Sequence, residues 1–285
     1  MAFLGGAASL SVLVTVGIVV ALLLPALEFF REVSVVEFVT GTRWTPSFTG
    51  QESYGVLSLV SGTLWTTAIA LTIAVPAGLG AAIYLSEYAP VGVRKVLKPM
   101  LEVLAGIPSV VYGFFALTFV APVILNDLLR INVGTFSVLS AGIVLGIMII
   151  PTIASLSEDA MSAVPSELRQ GSLALGANRM RTTLRVVFPA AISGIAASVV
   201  LGLSRGVGET MIVALAAGTQ ARVVTGPTEY GQTMTGFIAQ TATGESTPGT
   251  LGYNTLYAVG LLLFVLTLLM NLVSIRLVRR FRESY

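Results

Sequence analysis

Arg205 and Glu209 are the residues whose types and spacing most clearly suggest chemistry, because both are charged and both interrupt a long apolar stretch. Being four residues apart, they would share one face of a helix and could form an ion pair. A charged residue in a bilayer costs about 2.5–3.5 kcal/mol, so such groups should pair and face a protein interior or a water-filled cavity. A guanidinium can grip two oxygens of a tetrahedral oxyanion, and Glu209 would hold it while no anion is bound.

The candidate site for substrate binding and translocation also includes the neighbouring hydroxyls of Ser204 and Thr210. The Glu209 carboxylate could accept a proton from protonated phosphate, whereas fully ionised sulfate has no proton to give. A purely structural interpretation stays open, in which the ion pair only fixes helix packing. Gly202 and Gly206 form a G-x-x-x-G pair that would let a neighbouring helix approach closely, which favours packing for at least part of this segment.

The elements that must position these residues are membrane-spanning helices. The chain has 285 residues, 55% of them hydrophobic and 11% charged, with a mean hydropathy of +0.90, which leaves too little polar surface for a soluble domain of this size. Stretches of about 20 apolar residues predict spans, and they predict one all-α membrane domain over 1–285. The six predicted spans lie near 3–27, 55–85, 103–125, 136–156, 186–218 and 251–275. The second and fifth are longer than needed, so we expect them to tilt, kink or continue beyond the bilayer.

The residue types that are missing narrow the possible chemistry. The chain has no cysteine and no histidine, which excludes disulfides and removes the commonest metal ligand and general base. It also lacks the G-x-x-x-x-G-K-[ST] loop, so we expect no cofactor here and any ATP, with its Mg²⁺, on another chain. An intramembrane enzyme is disfavoured, since a Ser204 nucleophile would have no evident base except Glu209. The chain is therefore expected not to be an enzyme itself.

The basic residues predict the orientation. Eleven of them fall on one side of the six predicted spans. They are Arg94, Lys95, Lys98, Arg169, Arg179, Arg181, Arg185, Arg276, Arg279, Arg280 and Arg282. The positive-inside rule places that side in the cytoplasm together with both termini, and the first apolar stretch has no basic residue before it, so it is interpreted as a retained span. The other side carries two longer loops, roughly 28–54 and 219–250, which could receive a partner.

A second informative region is the polar segment between the fourth and fifth spans, about 158–189. Its residues 167–175 are mostly good helix formers with three leucines on one side, and Gly176 is a typical helix stop. The leucines are Leu168, Leu173 and Leu175. This pattern predicts either a short helix that docks on a partner or an amphipathic connector that lies on the membrane surface.

The order of residues in this segment favours docking. Residues 170–176 are Gln-Gly-Ser-Leu-Ala-Leu-Gly, and Val-Val-Phe-Pro follows at 186–189, a spacing that resembles the EAA loop of ABC importer permeases. The resemblance implies a short coupling helix that docks into a cleft of a partner ATPase. The coupling residues it implies are Gln170, Gly171, Ser172, Leu175 and Gly176. Gln170 stands where the family has glutamate, so an ion pair of that glutamate with the ATPase is not carried over.

Motifs along most of the chain resemble one family of these permeases. Tyr-Gly-Val-Leu begins at 54, Ile-Ala-Val-Pro at 73, Tyr-Leu-Ser-Glu-Tyr-Ala-Pro at 84 and Gly-Ile-Pro-Ser-Val-Val-Tyr-Gly at 106. With Ile-Met-Ile-Ile-Pro at 147 and Arg-Gly-Val-Gly-Glu-Thr-Met at 205, they are similar, in this order, to the phosphate-specific ABC importer permeases of the PstC type. The homologous PstA-type permeases carry a similar arginine–glutamate motif, and the part of the motif around Met211 looks more like the PstC type.

The resemblance implies a type I ABC importer permease fold with six spans and a cytoplasmic coupling helix, in a prokaryotic inner membrane. It also implies a PstA-type permease as heterodimer partner, a PstB-type ATPase dimer, a PstS-type binding protein outside, phosphate as substrate, and alternating access driven by ATP. Nucleic acid is not an expected partner. Permeases for sulfate, molybdate or phosphonate are the nearest alternatives, and a secondary anion transporter, which would work without an ATPase, is a further one.

Overall fold

The chain is built almost entirely of helices. The computed structural model describes residues 2–46, 48, 50–244, 247 and 249–280, without the side chains of 2, 3 and 277–280. The predicted all-α fold is confirmed, since the β structure in these residues is a single isolated bridge between Trp44 and Tyr54. The predicted basic tail beyond Arg276 lies outside the described side chains.

Thirteen helices are described, with three π-helical segments that continue them. In chain order they are α1 (Ala2–Glu32), α2 (Val35–Thr40), α3 (Leu57–Ile83, continued by the π-helical turn Tyr84–Tyr88), α4 (Val91–Ala105), α5 (Ser109–Phe115, continued by the π-helix Ala116–Leu128), α6 (Val138–Ser162), α7 (Ser166–Ala174), α8 (Arg179–Thr182, continued by the π-helical turn Thr183–Val187), α9 (Phe188–Ala190), α10 (Ile192–Val207), α11 (Met211–Ala216), α12 (Met234–Thr243) and α13 (Leu251–Arg280).

Five segments of the described chain are long and apolar enough to cross a membrane: α1, α3 with its π-helical turn, α5 with its π-helix, α6 and α13. A sixth span exists if the bent pair Arg179–Ala190 and Ile192–Val207 is counted as one, with its 71° bend at residue 191. The long fifth predicted span, 186–218, is therefore kinked, as its length indicated. It also breaks a second time, after Val207.

The third predicted span, 103–125, begins at Ser109 instead, because Gly106 and Pro108 interrupt the helix before it. A proline disfavours helical backbone in the residue before it, so a helix ends more readily there. Residues 103–105 consequently belong to α4, an amphipathic helix in which no residue is buried.

The centre of the bundle is the packing of α3 against α6. Ala70 and Ala74 of α3 belong to the same buried cluster as Val144, Leu145 and Met148 of α6, and all five side chains are almost fully buried. The helix α10 packs against both α6 and α3, α11 packs against α5 and α6, and α1 pairs with α13. Ser137 begins α6 as its N-cap and accepts a hydrogen bond from the Ser140 backbone N–H at 3.1 Å.

The two ends of the bundle are held by different chemistry. The end that contains Arg94, Lys98 and Arg169, formed by α4, α7 and the last turns of α3 and α6, is called the basic end here. The opposite end holds α2 and the segments 41–46, 50–56 and 217–233. Its centre is an aromatic cluster of rings packed edge to face, with centroids 5.1–6.4 Å apart. The cluster consists of Phe29, Phe38, Trp44, Tyr54 and Phe237.

Candidate functional site

The helix that carries Arg205 ends directly after it. The last helical residue of α10 is Val207, Gly208 follows as its C-cap, and Glu209 and Thr210 lie in the break before α11. Arg205 therefore occupies the last turn of α10, where a cation interacts favourably with the carbonyl end of the helix. The prediction that Arg205 and Glu209 share one helical face is wrong, because the helix stops before Glu209.

The guanidinium of Arg205 contacts a neutral hydroxyl instead of a carboxylate. Its Nη1 donates a hydrogen bond to Oγ1 of Thr152 on α6 at 3.0 Å, and the side chain is half-buried. Among the described residues no salt bridge includes Arg205, so the expected ion pair with Glu209 is not formed. The phenol of Tyr112 on α5 lies within electrostatic reach of the same guanidinium. Arginine has five N–H donors, and the described chain supplies an acceptor for one of them here.

Glu209 shapes the break between the two helices. Its Oε1 accepts hydrogen bonds from the backbone N–H groups of Met211 at 3.0 Å and Ile212 at 3.4 Å, so the carboxylate caps the start of α11. The hydroxyl of Thr235 on α12 donates to the Glu209 carbonyl at 2.6 Å. These bonds are the physical reason why Glu209 does not hold Arg205 in this conformation, as the sequence suggested it would.

The two flanking hydroxyls of the predicted site also point to other partners. Ser204 donates to the Asn271 Oδ1 on α13 at 2.9 Å, and Thr210 donates to the Gly208 carbonyl at 3.3 Å. The structure thus brings Arg205 together with a residue that the sequence did not indicate. It places Ser204, Thr210 and Glu209 in contacts of their own.

The predicted close approach at the glycine pair is confirmed. A Cβ at Gly202 would lie 3.0 Å from the Ile149 Cγ2 of α6, and one at Gly206 would lie 3.3 Å from the Thr67 Cγ2 of α3. Glycines therefore let α10 approach the central helix pair beside Arg205. The Thr67 hydroxyl has no hydrogen-bond partner in the described chain and is buried.

Sequence reasoning missed Thr152 and Thr67, and no signal in the sequence marks them. A threonine in an apolar helix usually turns its hydroxyl back to a carbonyl of its own helix, as Thr63 does to Leu59 at 2.9 Å. Only the packing of α3, α6 and α10 shows that the hydroxyls of Thr152 and Thr67 do not bond their own helix.

The predicted short helix at the basic end is α7, and its end is well defined. Gly176 has φ +83°, a left-handed conformation that glycine adopts without strain. Its N–H bonds the Leu173 carbonyl at 2.9 Å, and the Ala177 N–H bonds the Ser172 carbonyl at 3.2 Å, which is the Schellman pattern. The end of the helix at Gly176 is therefore the one that the sequence predicted.

The leucines of this segment divide between two surroundings. Leu168 packs with the buried residues Met161 and Val187. Leu173 and Leu175 point outward, with 51% and 91% of their surface exposed. Gln170, Gly171 and Gly176 are exposed as well, while Ser172 is half-buried and shares a 2.9 Å hydrogen bond with Thr182. Of the three leucines expected on one apolar side, one therefore anchors α7 to the permease and two are exposed.

A buried carboxylate organises the neighbouring part of the basic end. The fully buried Glu158, in the last turns of α6, accepts bonds from Arg94 and Lys98 of α4 and from the Ser162 hydroxyl. Lys98 also pairs with Asp159. The hydrogen bonds to Asp159 and Glu158 raise the pKa of Lys98 above its ordinary value, so this ammonium stays charged throughout the physiological range.

The two long loops of the opposite end meet around an open cavity of about 550 Å³. Its walls are neutral, with aromatic rings from Trp44 and Phe237 and amides from Gln232 and Gln240. The two amides are joined by a 2.6 Å hydrogen bond. The cavity lies between the two loops that the sequence analysis expects to receive a partner.

Apolar spans packed around a half-buried guanidinium, with a short helix presenting exposed leucines at one end, are the features expected of a membrane transport protein. The model of the family described as binding-protein-dependent transport system inner membrane component matches residues 74–283, and the chain belongs to that family.

Known relatives are similar over most of their length. The chain is 40% identical over 237 residues to a probable ABC transporter permease protein, YqgH, of Bacillus subtilis, covering 83% of this chain and 75% of the relative. It is 36% identical over 279 residues to the phosphate transport system permease protein PstC 1 of Mycobacterium tuberculosis, covering 86% and 82%. It is 34% identical over 267 residues to PstC of Haemophilus influenzae, covering 87% and 82%. Relatives carry the name permease, and the chain is a permease subunit rather than an enzyme.

Solved structures agree on the fold. A bacterial ABC transporter that imports the polysaccharide alginate superposes with a TM-score of 0.63 at 17% identity, covering 93% of this chain and 96% of that one. The MetNI methionine ABC transporter, in an inward-facing conformation, gives a TM-score of 0.56 at 20% identity, covering 80% and 95%. The predicted ABC importer permease fold is therefore confirmed.

Proposed function

We propose that this chain is a phosphate-translocating permease subunit of an ATP-driven importer. The observation that carries the proposal is the Arg205 guanidinium, which lies among the spans with one neutral hydrogen-bond partner in the part of the chain that the structure describes. A guanidinium in that state keeps donors free for two oxygens of a tetrahedral oxyanion. Relatives named as phosphate transport permeases support phosphate as that anion.

Of the two roles expected for Glu209, holding Arg205 and accepting a proton, the second is the one proposed. In this conformation its carboxylate is bound to backbone N–H groups, so it leaves Arg205 free for substrate. Glu209 would act as the acceptor of the proton that phosphate carries and sulfate lacks. Ser204 and Thr210 remain proposed members of the pathway in a conformation in which their present partners are released.

The partners of the proposed complex follow from the two ends of the bundle. The basic end would face the cytoplasm with both termini, and α7 would dock into a PstB-type ATPase that binds ATP and Mg²⁺. The exposed Gln170, Gly171, Leu175 and Gly176, with Ser172 behind them, form the proposed contact surface. The cavity at the opposite end would face a PstS-type binding protein, and a PstA-type permease would complete the pathway in a prokaryotic inner membrane. ATP binding and hydrolysis would then alternate the access to Arg205.

The direct test is phosphate uptake by proteoliposomes that contain this chain, its partner permease, the ATPase and the binding protein. We expect ATP-dependent uptake in the wild type and its loss in Arg205→Gln, with the complex still assembled. Arg31→Gln is a matched control, since Arg31 is an exposed arginine at the end of α1. Uptake that does not need the ATPase would contradict the proposal and indicate a secondary transporter. Equal uptake of phosphate and sulfate by the wild type would remove the role given to Glu209.

The proposed docking of α7 can be tested by labelling, because the natural chain has no cysteine. A single Leu175→Cys should react readily with a maleimide in the absence of the ATPase and become protected when the ATPase is added. Gln51→Cys, exposed at the opposite end, is the control and should stay reactive. In intact cells an impermeant maleimide should label Gln51→Cys alone, and labelling of Leu175→Cys from outside would contradict the proposed orientation.

A further inference from the structure

Arg169 points away from the exposed surface of α7 and into the permease. Its Nη2 donates to the Glu87 Oε1 at 3.0 Å and to the Met161 carbonyl at 2.7 Å. Its Nε lies 3.3 Å from the same Glu87 oxygen, and its Nη1 donates to the Val164 carbonyl. In contrast to Arg205, this guanidinium uses all three of its nitrogens.

These bonds join three elements through one side chain. Glu87 belongs to the π-helical turn that ends α3, and Met161 and Val164 lie in and just after the last turn of α6. Arg169 itself is in the first half of α7. A planar guanidinium can donate in several fixed directions at once, which a lysine ammonium cannot reproduce in the same geometry. Arg169 therefore ties α7 to both helices of the central pair.

The ion pair between Arg169 and Glu87 is costly to separate. The side chain of Glu87 is 7% exposed and that of Arg169 is 23% exposed, so separating them would leave a carboxylate without its partner in a largely dry site. Two further contacts hold the neighbouring turn to the same region. Ser172 bonds Thr182, and the Arg179 guanidinium lies 5.3 Å from the centre of the Tyr88 ring, one residue after Glu87.

Helix α6, whose end Arg169 contacts, continues to the candidate site. Met161 and Thr152 are both in α6, about 14 Å apart along a helix that rises about 1.5 Å per residue. Between them, Ser157 shares a buried 2.7 Å hydrogen bond with Ser198 of α10, the helix that carries Arg205. A displacement of α7 thus has a continuous path of packed and bonded groups to the Arg205 guanidinium.

We propose that Arg169 and Glu87 form a permanent junction that transmits the movement of α7 to the helices around Arg205. Arg169 is in this sense a positioning residue, and the exposed surface of α7 that would meet the ATPase is separate from it. The inference rests on the proposed function, because it assigns a route to the force that an ATPase would supply at α7.

The test measures phosphate transported per ATP hydrolysed in the assembled complex in proteoliposomes. Removing the junction with Arg169→Gln should leave ATPase binding and ATP hydrolysis in place and lower the phosphate transported per ATP hydrolysed by about tenfold or more, because hydrogen bonds between charged groups are lost. Glu87→Gln removes the negative charge but keeps an oxygen that can accept a bond from Arg169, so it should lower the ratio less than Arg169→Gln does. The double variant should be no worse than Arg169→Gln alone, because Arg169 takes part in every bond of the junction. Arg169→Lys should recover only part of the ratio.

Lys95→Gln is the matched control, since Lys95 is an exposed cation of α4 at the same end, and its ratio should equal that of the wild type. An unchanged ratio in Arg169→Gln, beside a wild type that transports phosphate, would overturn the inference alone. So would a parallel loss of assembly, hydrolysis and uptake in both Arg169→Gln and Glu87→Gln, which would show a role in folding. A wild-type complex without ATP-driven uptake would instead contradict the proposed function, and the inference with it.

Discussion

The cluster around Glu158 and the surroundings of Arg205 place charged groups in low-exposure positions with opposite results. Glu158 is fully buried and is bound by Arg94, Lys98 and a hydroxyl, so its charge is balanced within the chain. Arg205 has one neutral acceptor in the described chain and no carboxylate. A charge whose partners are all supplied by the protein holds structure, whereas a charge whose partners are incomplete is available to an anion. The difference lies in the contacts rather than in the residue types.

The largest effect that would test this contrast is expected from Glu158→Ala. Removing the carboxylate would leave Arg94 without a carboxylate partner and Lys98 with Asp159 alone, and the loss of these bonds at a fully buried position should cost about 1–3 kcal/mol. We expect a marked loss of thermal stability in detergent. Asp159→Asn is the matched control, because the Asp159 side chain is 57% exposed and should contribute much less. Equal melting temperatures for Glu158→Ala and the wild type would contradict the structural role assigned to the Glu158 cluster.

A smaller effect is expected from Thr152→Val, which keeps the shape of the side chain and removes the acceptor of Arg205. A hydrogen bond of this kind contributes about 0.5–1.5 kcal/mol, with the higher values near a charged partner. The KM for phosphate uptake should rise by about two- to tenfold at unchanged assembly, since the guanidinium loses its orientation. Thr72→Val serves as the control, because the Thr72 hydroxyl bonds the Ala68 carbonyl of its own helix. An unchanged KM would remove Thr152 from the site.

The smallest effect on transport is expected from Ser204→Ala. Its hydroxyl is bound to Asn271 on α13 and is proposed to join the pathway only after that bond is released, so the change should cost roughly 0.5–1.5 kcal/mol of stability and raise the KM for phosphate by about twofold at most. A loss of uptake in a stable Ser204→Ala complex would add Ser204 to the groups that act with Arg205. It would mean that Ser204 leaves Asn271 during transport and joins Arg205.

Sequence reasoning reached the features that depend on local pattern. The apolar stretches predicted the spans, and the helix formers before Gly176 predicted α7 and its end, because both depend on residues that are close together in the sequence. The break after Val207 was missed for a physical reason. Gly206 and Gly208 can mark either a close helix contact or a helix end, and only the bonds of Glu209 to α11 and α12 decide between them.

The contacts between distant parts of the chain were beyond reach of the sequence alone. Glu87 and Arg169 are 82 residues apart, and Thr152 and Arg205 are 53 apart. Each of these pairs depends on how α3, α6, α7 and α10 pack. The charged residues were visible from the start, but which of them would be balanced and which left available is a property of the assembled helices.

The aromatic cluster at the opposite end has a spectroscopic consequence. The chain contains two tryptophans. Trp44 is 4% exposed within the ring cluster, and the Trp65 indole N–H bonds the Val224 carbonyl of the neighbouring segment at 3.0 Å. The tryptophan fluorescence of the unlabelled protein therefore originates at this end, some distance from α7. A change in emission on adding a binding protein would report directly on the face opposite the basic end, and Trp44→Phe would separate the contributions of the two indoles.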